Sequence, residues 1–389
     1  MKLVYIYLND LEKNNANVNQ TLNMVVALSK ICDTTLISGW ISKPKFSERL
    51  NFFSLKKSFL HRRIPIKLNV ESFFLEKITR LIYSFFVLLH LKIVKYDTIY
   101  TRDVSFLLFI SYLPTFLKPK QKILFEQHTI YHKSSDKIDF KYEKRALNQA
   151  DFIIPISNGI KKELTELFHI PEKNMFVSPD GVNLMNFINI KPSNDFLIKK
   201  YPKSKGKKVV VYVGSFKEWK GVDTFVKSLK FIKSKKIAFL IVGGNKEERV
   251  RLNQFILKNK IPRNKLILES FLSQVEIIKI LKSSDIAIIP NNKSPIGEKY
   301  TSPLKVFEYM ACGLPIISSD LPSMKEILNE GYNCLFFEPE NEKDLAKKID
   351  FLSRNSILMD KFKQNNLNGC KKYSWDIRAS RIINLFYKS

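Results

Sequence analysis

Short apolar runs alternate with longer amphipathic ones along almost the whole chain, and that alternation limits the folds open to it. Strand-like runs fall at residues 2–8, 34–37, 98–100, 122–125, 152–156 and 175–177, and again at 208–213, 238–242, 266–268, 286–289, 315–318 and 334–337. Between them helical spacing recurs, most clearly at 18–30, 71–94, 140–149, 159–168, 222–232, 246–259, 274–282, 303–312, 322–328 and 342–353. Apolar strands regularly followed by helices predict an α/β chain with parallel sheets covered on both faces. At 389 residues the chain is long for one core and suits two doubly wound domains. A polar stretch at 187–207, carrying Pro192, Pro202 and Gly206, reads as the linker. The expected domains are 1–190 and 191–374, with a cleft at the carboxyl ends of their strands, where open α/β sheets bind ligands.

The run 300–315 is the densest in chemical information. Ser302 reads as a helix cap and Pro303 as the first helical residue. The unpaired N–H groups of that first turn make a site for phosphate. Glu308 lies six residues on, close to two turns down the helix. A carboxylate repels phosphate, so its natural partner is a hydroxyl-rich group such as a ribose. Gly313 ends the helix before a buried strand.

A second cluster follows the strand at 208–213. Gly214 lets the backbone approach a ligand, Ser215 follows it, and Lys217 and Lys220 place cations near the strand end. A diphosphate leaving group needs such charge, because its negative charge grows as its bond to a sugar breaks. Lys305 adds a cation in the first turn after Pro303, and Gly243 lines the same sheet edge after the strand at 238–242.

The formal net charge is +28, from 65 Lys and Arg against 37 Asp and Glu. A lysine bias spread over a solvated surface is one source; attraction to an anionic membrane is another. Residues 43–95 favour the second, with twelve basic side chains against Glu48, Glu71 and Glu76. Phe46, Phe52, Phe53, Phe59, Leu60, Phe73 and Phe74 interleave with them, a pattern that suits a headgroup layer. No RRM, KH, zinc-finger or helix-turn-helix signature accompanies the charge, so no nucleic-acid partner is expected. Cys32, Cys312, Cys334 and Cys370 are far apart and read as buried thiols of a reducing cytosol. No run reaches the roughly 18 apolar residues of a membrane span, and the N-terminus opens directly in a strand. The expected location is cytoplasmic, peripheral at the inner face of the membrane.

With these motifs in hand, the chain resembles the retaining glycosyltransferases of the GT4 family, which have the GT-B fold of two facing Rossmann-like domains. The resemblance rests on Gly214 to Gly221, on Ser284-Asp285 and the strand to Pro290, and on Ser302 to Pro315. In the first half it rests on Glu126-Gln127-His128, Ala150 to Ser157 and Pro179-Asp180-Gly181. Tyr373-Ser374-Trp375 and the residues after it are similar to the family's C-terminal helix, which returns to the first domain. The resemblance implies that Lys220 binds the donor diphosphate, Glu308 the ribose, and that His128 sits near the transferred sugar and the acceptor. It implies a nucleotide-diphosphate sugar as donor, a glycan or lipid-linked glycan as acceptor, an acceptor-binding first domain and a donor-binding second one. Retention of configuration, by same-face attack with the leaving phosphate taking the proton, is implied as well.

The chain departs from the family in three places. Ser215 stands where an arginine is common, so Lys217 is expected to supply that charge. Tyr300 stands where a second carboxylate is common, with Glu298 nearby but out of register; Thr301 joins Glu298 as a candidate substrate contact. The loop from Asn9 to Asn19 lacks paired glycines, leaving Asn17 and Asn19 as candidate acceptor contacts. His128 and His132 have a metal-compatible spacing but no evident third ligand, and no D-x-D pair occurs. No metal or other cofactor is therefore expected. The absence of GxGxxG, P-loop and GxSxG patterns argues against a dehydrogenase, an NTPase and an esterase. Two other readings stay open: a nucleotide-sugar epimerase of the same architecture, and a non-catalytic sugar- or polyanion-binding protein.

Overall fold

The computed structural model describes residues 1–13, 15–64, 73–134 and 138–388. The chain divides into two compact units, Met1–Asp180 with Trp375–Ser389, and Gly181–Ser374.

The first unit runs β1 (Lys2–Tyr7), α1 (Ala16–Leu28), β2 (Asp33–Ser38), α2 (Lys43–Phe52), β3 (Leu60–Arg63), α3 (Phe73–Ile93), β4 (Thr98–Thr101), α4 (Val104–Ser111), β5 (Lys122–Gln127), α5 (Phe140–Leu147), β6 (Phe152–Pro155) and α6 (Asn158–Phe168). The second runs α7 (Leu184–Asn189), α8 (Phe196–Lys200), β7 (Lys208–Gly214), α9 (Val222–Ser228), β8 (Ile237–Gly243), α10 (Lys246–Lys258), β9 (Leu266–Glu269), α11 (Gln274–Lys282), β10 (Ile286–Ile289), α12 (Pro295–Glu298), α13 (Leu304–Ala311), β11 (Ile316–Ser319), α14 (Pro322–Lys325), β12 (Cys334–Phe337), α15 (Glu342–Arg354) and α16 (Ser356–Gly369). The last helix, α17 (Trp375–Lys388), belongs to the first unit.

Among the described residues each unit holds one six-stranded parallel sheet, ordered β3-β2-β1-β4-β5-β6 and β12-β11-β10-β7-β8-β9. In both, the order reverses beside the unit's first strand, between β1 and β4 and between β7 and β10. Such reversals open a crevice beyond the carboxyl ends of the strands. Burial explains the strands' composition. In β7, Val209, Val211 and Val213 enter one apolar cluster while Val210 and Tyr212 enter the other, on the opposite face. Each such valine or isoleucine contributes roughly 1.5–3 kcal/mol by leaving water.

Several sequence expectations need correction. The stretch at 187–207 is folded rather than a linker: Phe187, Leu197 and Tyr201 are buried in the apolar cluster that contains Val211 and Leu240. The strand expected at 175–177 is a single bridge from Met175 to Ile153. Strand β3, Leu-His-Arg-Arg, was not expected; it is an edge strand with exposed side chains, so it shows no apolar alternation. Helices α2, α4 and α16 were also missed. Helix α4 is apolar almost all round and its start is marked only by Asp103, whose carboxylate accepts from Ser105 N at 3.0 Å.

The basic segment 43–95 is corrected too. Phe46, Phe53 and Phe59 are buried rather than available to a headgroup layer, and Phe46 stacks on His61 at 3.9 Å between ring centroids. Lys67 and Glu71 lie outside the described residues. Of the interleaved apolar residues Leu60 is exposed, and further exposed apolar side chains lie along α3, at Leu81, Phe85, Leu89 and Ile93.

Candidate functional site

The carboxyl end of β7 is built on backbone that tolerates no Cβ. Gly214 has φ +158° and Gly243, at the end of β8, has φ +119°. A Cβ on Gly243 would lie 2.3 Å from the Gly214 carbonyl oxygen. Packing of β8 against β7 therefore accounts for Gly243 in the chain's own terms. The next turn, Glu218–Lys220, is tied to the chain beyond β10: Asn292 N donates to Trp219 O at 2.9 Å and Asn292 Nδ2 to Glu218 O at 3.0 Å. Gly221 (φ +64°) closes this turn, where a Cβ would sit 1.7 Å from Pro290 O. The turn is thus pinned at the β7–β10 reversal. Ser215 lies on its near side, its carbonyl accepting from the Tyr212 hydroxyl at 2.6 Å.

Lys220 is half-buried, its ammonium 3.8 Å from the centroid of the Trp219 indole. Its pKa is pushed down to about 7, first by burial and then by Lys305 and Lys217. Lys217 itself is exposed. Three cations from the β7 turn and the start of α13 thus share one electrostatic environment, which favours an anion among them.

Helix α13 begins at Leu304, one residue later than expected. Pro303 occupies the cap position with φ −70° and ψ 118°, and no side chain caps the first turn. Ser302 is therefore not the cap. Proline's ring fixes its own φ and holds the preceding residue extended, which keeps Ser302 out of the helix. Thr301, Ser302 and Tyr300 are buried, and Glu298 ends the short helix α12, half-buried. Glu308 is also buried, and its Oε2 accepts from Lys305 Nζ at 2.8 Å. Its Oε1 accepts from Gln274 Nε2 at 3.4 Å. Gln274 and Asn292 were missed in the sequence; as single polar residues they carry no pattern.

The first unit gathers a second polar cluster at its own reversal. Arg102, buried just after β4, donates through Nη1 to Gln20 Oε1 at 3.1 Å and through Nη2 to Asn17 Oδ1 at 3.3 Å. Asn17 and Asn19 are not loop residues. They sit in the first turn of α1, which starts at Ala16 under the Asn15 cap, and Asn19 Oδ1 accepts from Asn23 Nδ2 at 2.6 Å. His128, just past β5, donates from Nε2 to Glu126 Oε1. Arg378 of α17 donates from Nη1 to Glu126 Oε2 at 2.8 Å, and the Tyr100 hydroxyl donates to the same oxygen. Burial opposes charge on Glu126, yet Arg378 and the His128 hydrogen bond hold its carboxyl well below the usual range. Burial and the nearby Arg102 push His128 down to about 4. Burial, aided by Glu126, raises Asp180 to about 7. Ligand atoms of Glu126, His128 and Asp180 lie within 4.8 Å of one another, but the guanidinium on Glu126 already supplies the positive charge a cation would bring. His132, the other histidine of the pair, donates its hydrogen bond elsewhere, pairing Nδ1 with Glu143 Oε2 at 2.8 Å.

The family described as "Glycosyltransferase Family 4" matches residues 21–185, and "Glycosyl transferases group 1" matches residues 193–368. An uncharacterized glycosyltransferase of Methanocaldococcus jannaschii is 25% identical over 242 residues, covering 60% of this chain and 59% of that protein. The N,N'-diacetylbacillosaminyl-diphospho-undecaprenol alpha-1,3-N-acetylgalactosaminyltransferase of Campylobacter jejuni is 26% identical over 53% of this chain and 52% of its own length. The matches thus span between half and three-fifths of these relatives. In fold, HepE of Anabaena, solved in complex with UDP, superposes with a TM-score of 0.77 at 13% identity, covering 100% of each chain. With two doubly wound parallel sheets and both halves matched, the chain belongs to the GT4-type glycosyltransferases and has the GT-B fold.

Proposed function

We propose that this chain transfers a hexose-type sugar from a nucleotide-diphosphate donor to a hydroxyl of a glycan or lipid-linked glycan, in the building of cell-surface polysaccharide. The observation that carries this reading is Lys220, whose ammonium is opposed by burial and by the neighbouring Lys305 and Lys217 and is favoured by an anion, with Lys305 itself paired to Glu308. The UDP held by HepE and the diphospho-undecaprenol in the name of the Campylobacter jejuni relative fit such a donor and acceptor. Lys220 and Lys305 meet the leaving diphosphate with the uncapped first turn of α13, so that no metal is needed. Glu308 takes the ribose hydroxyls, and His128 orients the reacting sugar. The bond from C1 to the leaving phosphate oxygen breaks as C1 joins the acceptor oxygen on the same face. The acceptor proton passes to the phosphate, and configuration is retained.

Thermal-shift screening with UDP-, GDP-, ADP- and TDP-linked hexoses tests this. At least one should raise the midpoint in the wild type, and Lys220→Ala and Glu308→Ala should abolish the rise. The same rise in both variants would sink the pocket.

The acceptor reading extends to a membrane surface. Leu81, Phe85, Leu89 and Ile93 recur every four residues on α3 and are 53%, 50%, 43% and 81% exposed. Phe116 is 76% exposed, and its carbonyl accepts from Lys92 Nζ at 3.4 Å. Arg62, Lys92 and Lys95 supply positive charge on the same segment. No described helix is long and apolar enough to cross a membrane, so the contact proposed is peripheral, at the cytoplasmic face, with anionic headgroups.

A further inference from the structure

Arg378 and Glu126 are each 3% exposed or less at the side chain, and they form an ion pair at 2.8 Å. Desolvating two charges costs about as much as their attraction returns, so burial of such a pair is weak evidence that it exists for stability. The pair is also fully engaged. Arg378 donates from Nε to Pro179 O at 2.9 Å and from Nη2 to Ser178 O at 3.1 Å. Glu126 spends one oxygen on Arg378 and Tyr100 and the other on His128.

We propose that Glu126 is a positioning residue for His128: braced by Arg378 and Tyr100, it fixes the imidazole as the Nε2–H tautomer and reserves Nδ1 as an acceptor for a hydroxyl of the reacting sugars. The proposal rests on the reading of His128 as a sugar contact given above. An ionised carboxylate only accepts hydrogen bonds, so the shared proton sits on His128 Nε2. Nδ1 then carries the lone pair, and among the described residues nothing donates to it. The ring stays neutral near pH 7, because burial first, and then Arg102 and Arg378, oppose a charge there, and with it the acceptor capacity is kept. Among the described residues, Asp180, Tyr100 and Tyr5 are further buried titratable groups around this cluster. Helix α17 thereby reaches the site from the far end of the sequence: its Arg378 sets the Glu126 carboxylate, and the carboxylate sets the histidine.

The test is nitrogen NMR of the full-length protein labelled in its five histidines, with the His128 signals assigned by their loss in His128→Gln. The wild type should show a protonated Nε2 and a bare Nδ1 from pH 6 to pH 8. In Glu126→Gln the amide can donate to Nε2, and the ring should switch to Nδ1–H. Turnover of UDP-, GDP-, ADP- or TDP-linked hexose, read as released nucleoside diphosphate, should fall about 10- to 100-fold with KM within about twofold. A purely structural role would lower the melting midpoint without moving the tautomer. A proton on Nδ1 in the wild type, or an unchanged tautomer or unchanged turnover in Glu126→Gln, overturns the proposal. If Glu126→Gln fails to fold, the wild-type spectrum still decides. Nucleotide binding at Lys220, measured on the same samples, reports separately on the functional reading.

Discussion

In the unliganded protein Lys220 gives up its proton near neutrality, with a pKa pushed down to about 7 by burial and by Lys305 and Lys217. A diphosphate seated among these cations would reverse that, restoring the ammonium toward its ordinary 10.5. The sign follows directly. Below pH 7 both free and bound protein hold the proton and affinity is flat. Above pH 7 the free protein has lost it while the complex keeps it, so binding takes up a proton and weakens as pH rises. Full restoration predicts a loss of affinity that approaches about tenfold per pH unit above the pKa, hence roughly 50-fold, or about 2.3 kcal/mol, between pH 7 and pH 9. Calorimetric titration with a nucleotide-diphosphate sugar suits the measurement, since its diphosphate is fully ionised across that range. Runs in buffers of different ionisation enthalpy should show nearly one proton taken up at pH 8.5. Lys220→Arg, which stays charged, should flatten the profile, and Lys220→Ala should flatten it at an affinity about 30- to 100-fold lower. A flat wild-type profile, or a slope that survives in Lys220→Ala, would refute the lysine-held diphosphate.

Glu308→Gln should keep the melting midpoint within a few degrees yet cost about tenfold or more in nucleotide-sugar affinity, seen by titration, because an amide cannot accept two ribose hydroxyls as a carboxylate does. Gly243→Ala should destabilise the protein by about 2–4 kcal/mol in chemical denaturation, since its Cβ would meet the Gly214 carbonyl at 2.3 Å. Arg378→Leu should cost about 3–5 kcal/mol, because it strands the buried Glu126 carboxylate without its guanidinium; lowering the pH should recover part of that loss as Glu126 protonates. Leu89→Ser with Lys92→Glu should release the protein from phosphatidylglycerol vesicles in co-sedimentation, and unchanged pelleting would remove the α3 surface from consideration.

The strands and long helices were readable because burial writes itself into composition. Strand β7 is apolar at five consecutive positions, Val209 to Val213, since both its faces are covered. What escaped was structure whose burial is one-sided or absent. Strand β3 closes the edge of its sheet with Leu60-His61-Arg62-Arg63, which looks like loop. The stretch at 187–207 looked like a linker because polar residues outnumber its anchors, yet Phe187, Leu197 and Tyr201 suffice to pin it to the core. The phenylalanines of 43–95 erred the other way, as a basic amphipathic pattern serves a core equally well when the aromatic face turns inward.

Legibility of the site depended on how far apart in sequence its parts lie. In the second unit each cluster is local. Gly214 to Gly221 is one strand–turn–helix, and Ser302 to Gly313 is one helix with its flanks, so chemistry and spacing can be read together. Even there the Lys305–Glu308 pair is a matter of adjacent helical turns, while Gln274, from another helix, gave no warning. In the first unit only His128 and its neighbours are local. The residue that decides the state of that histidine's partner is Arg378, 252 positions from Glu126. An arginine on an amphipathic helix normally signals a solvated face. Only the fold converts it into a buried countercharge, by laying α17 against the sheet that carries β5. Local motifs thus mark where an anion is proposed to bind, whereas the setting of a protonation state is distributed over the chain and becomes visible once the fold brings its parts together.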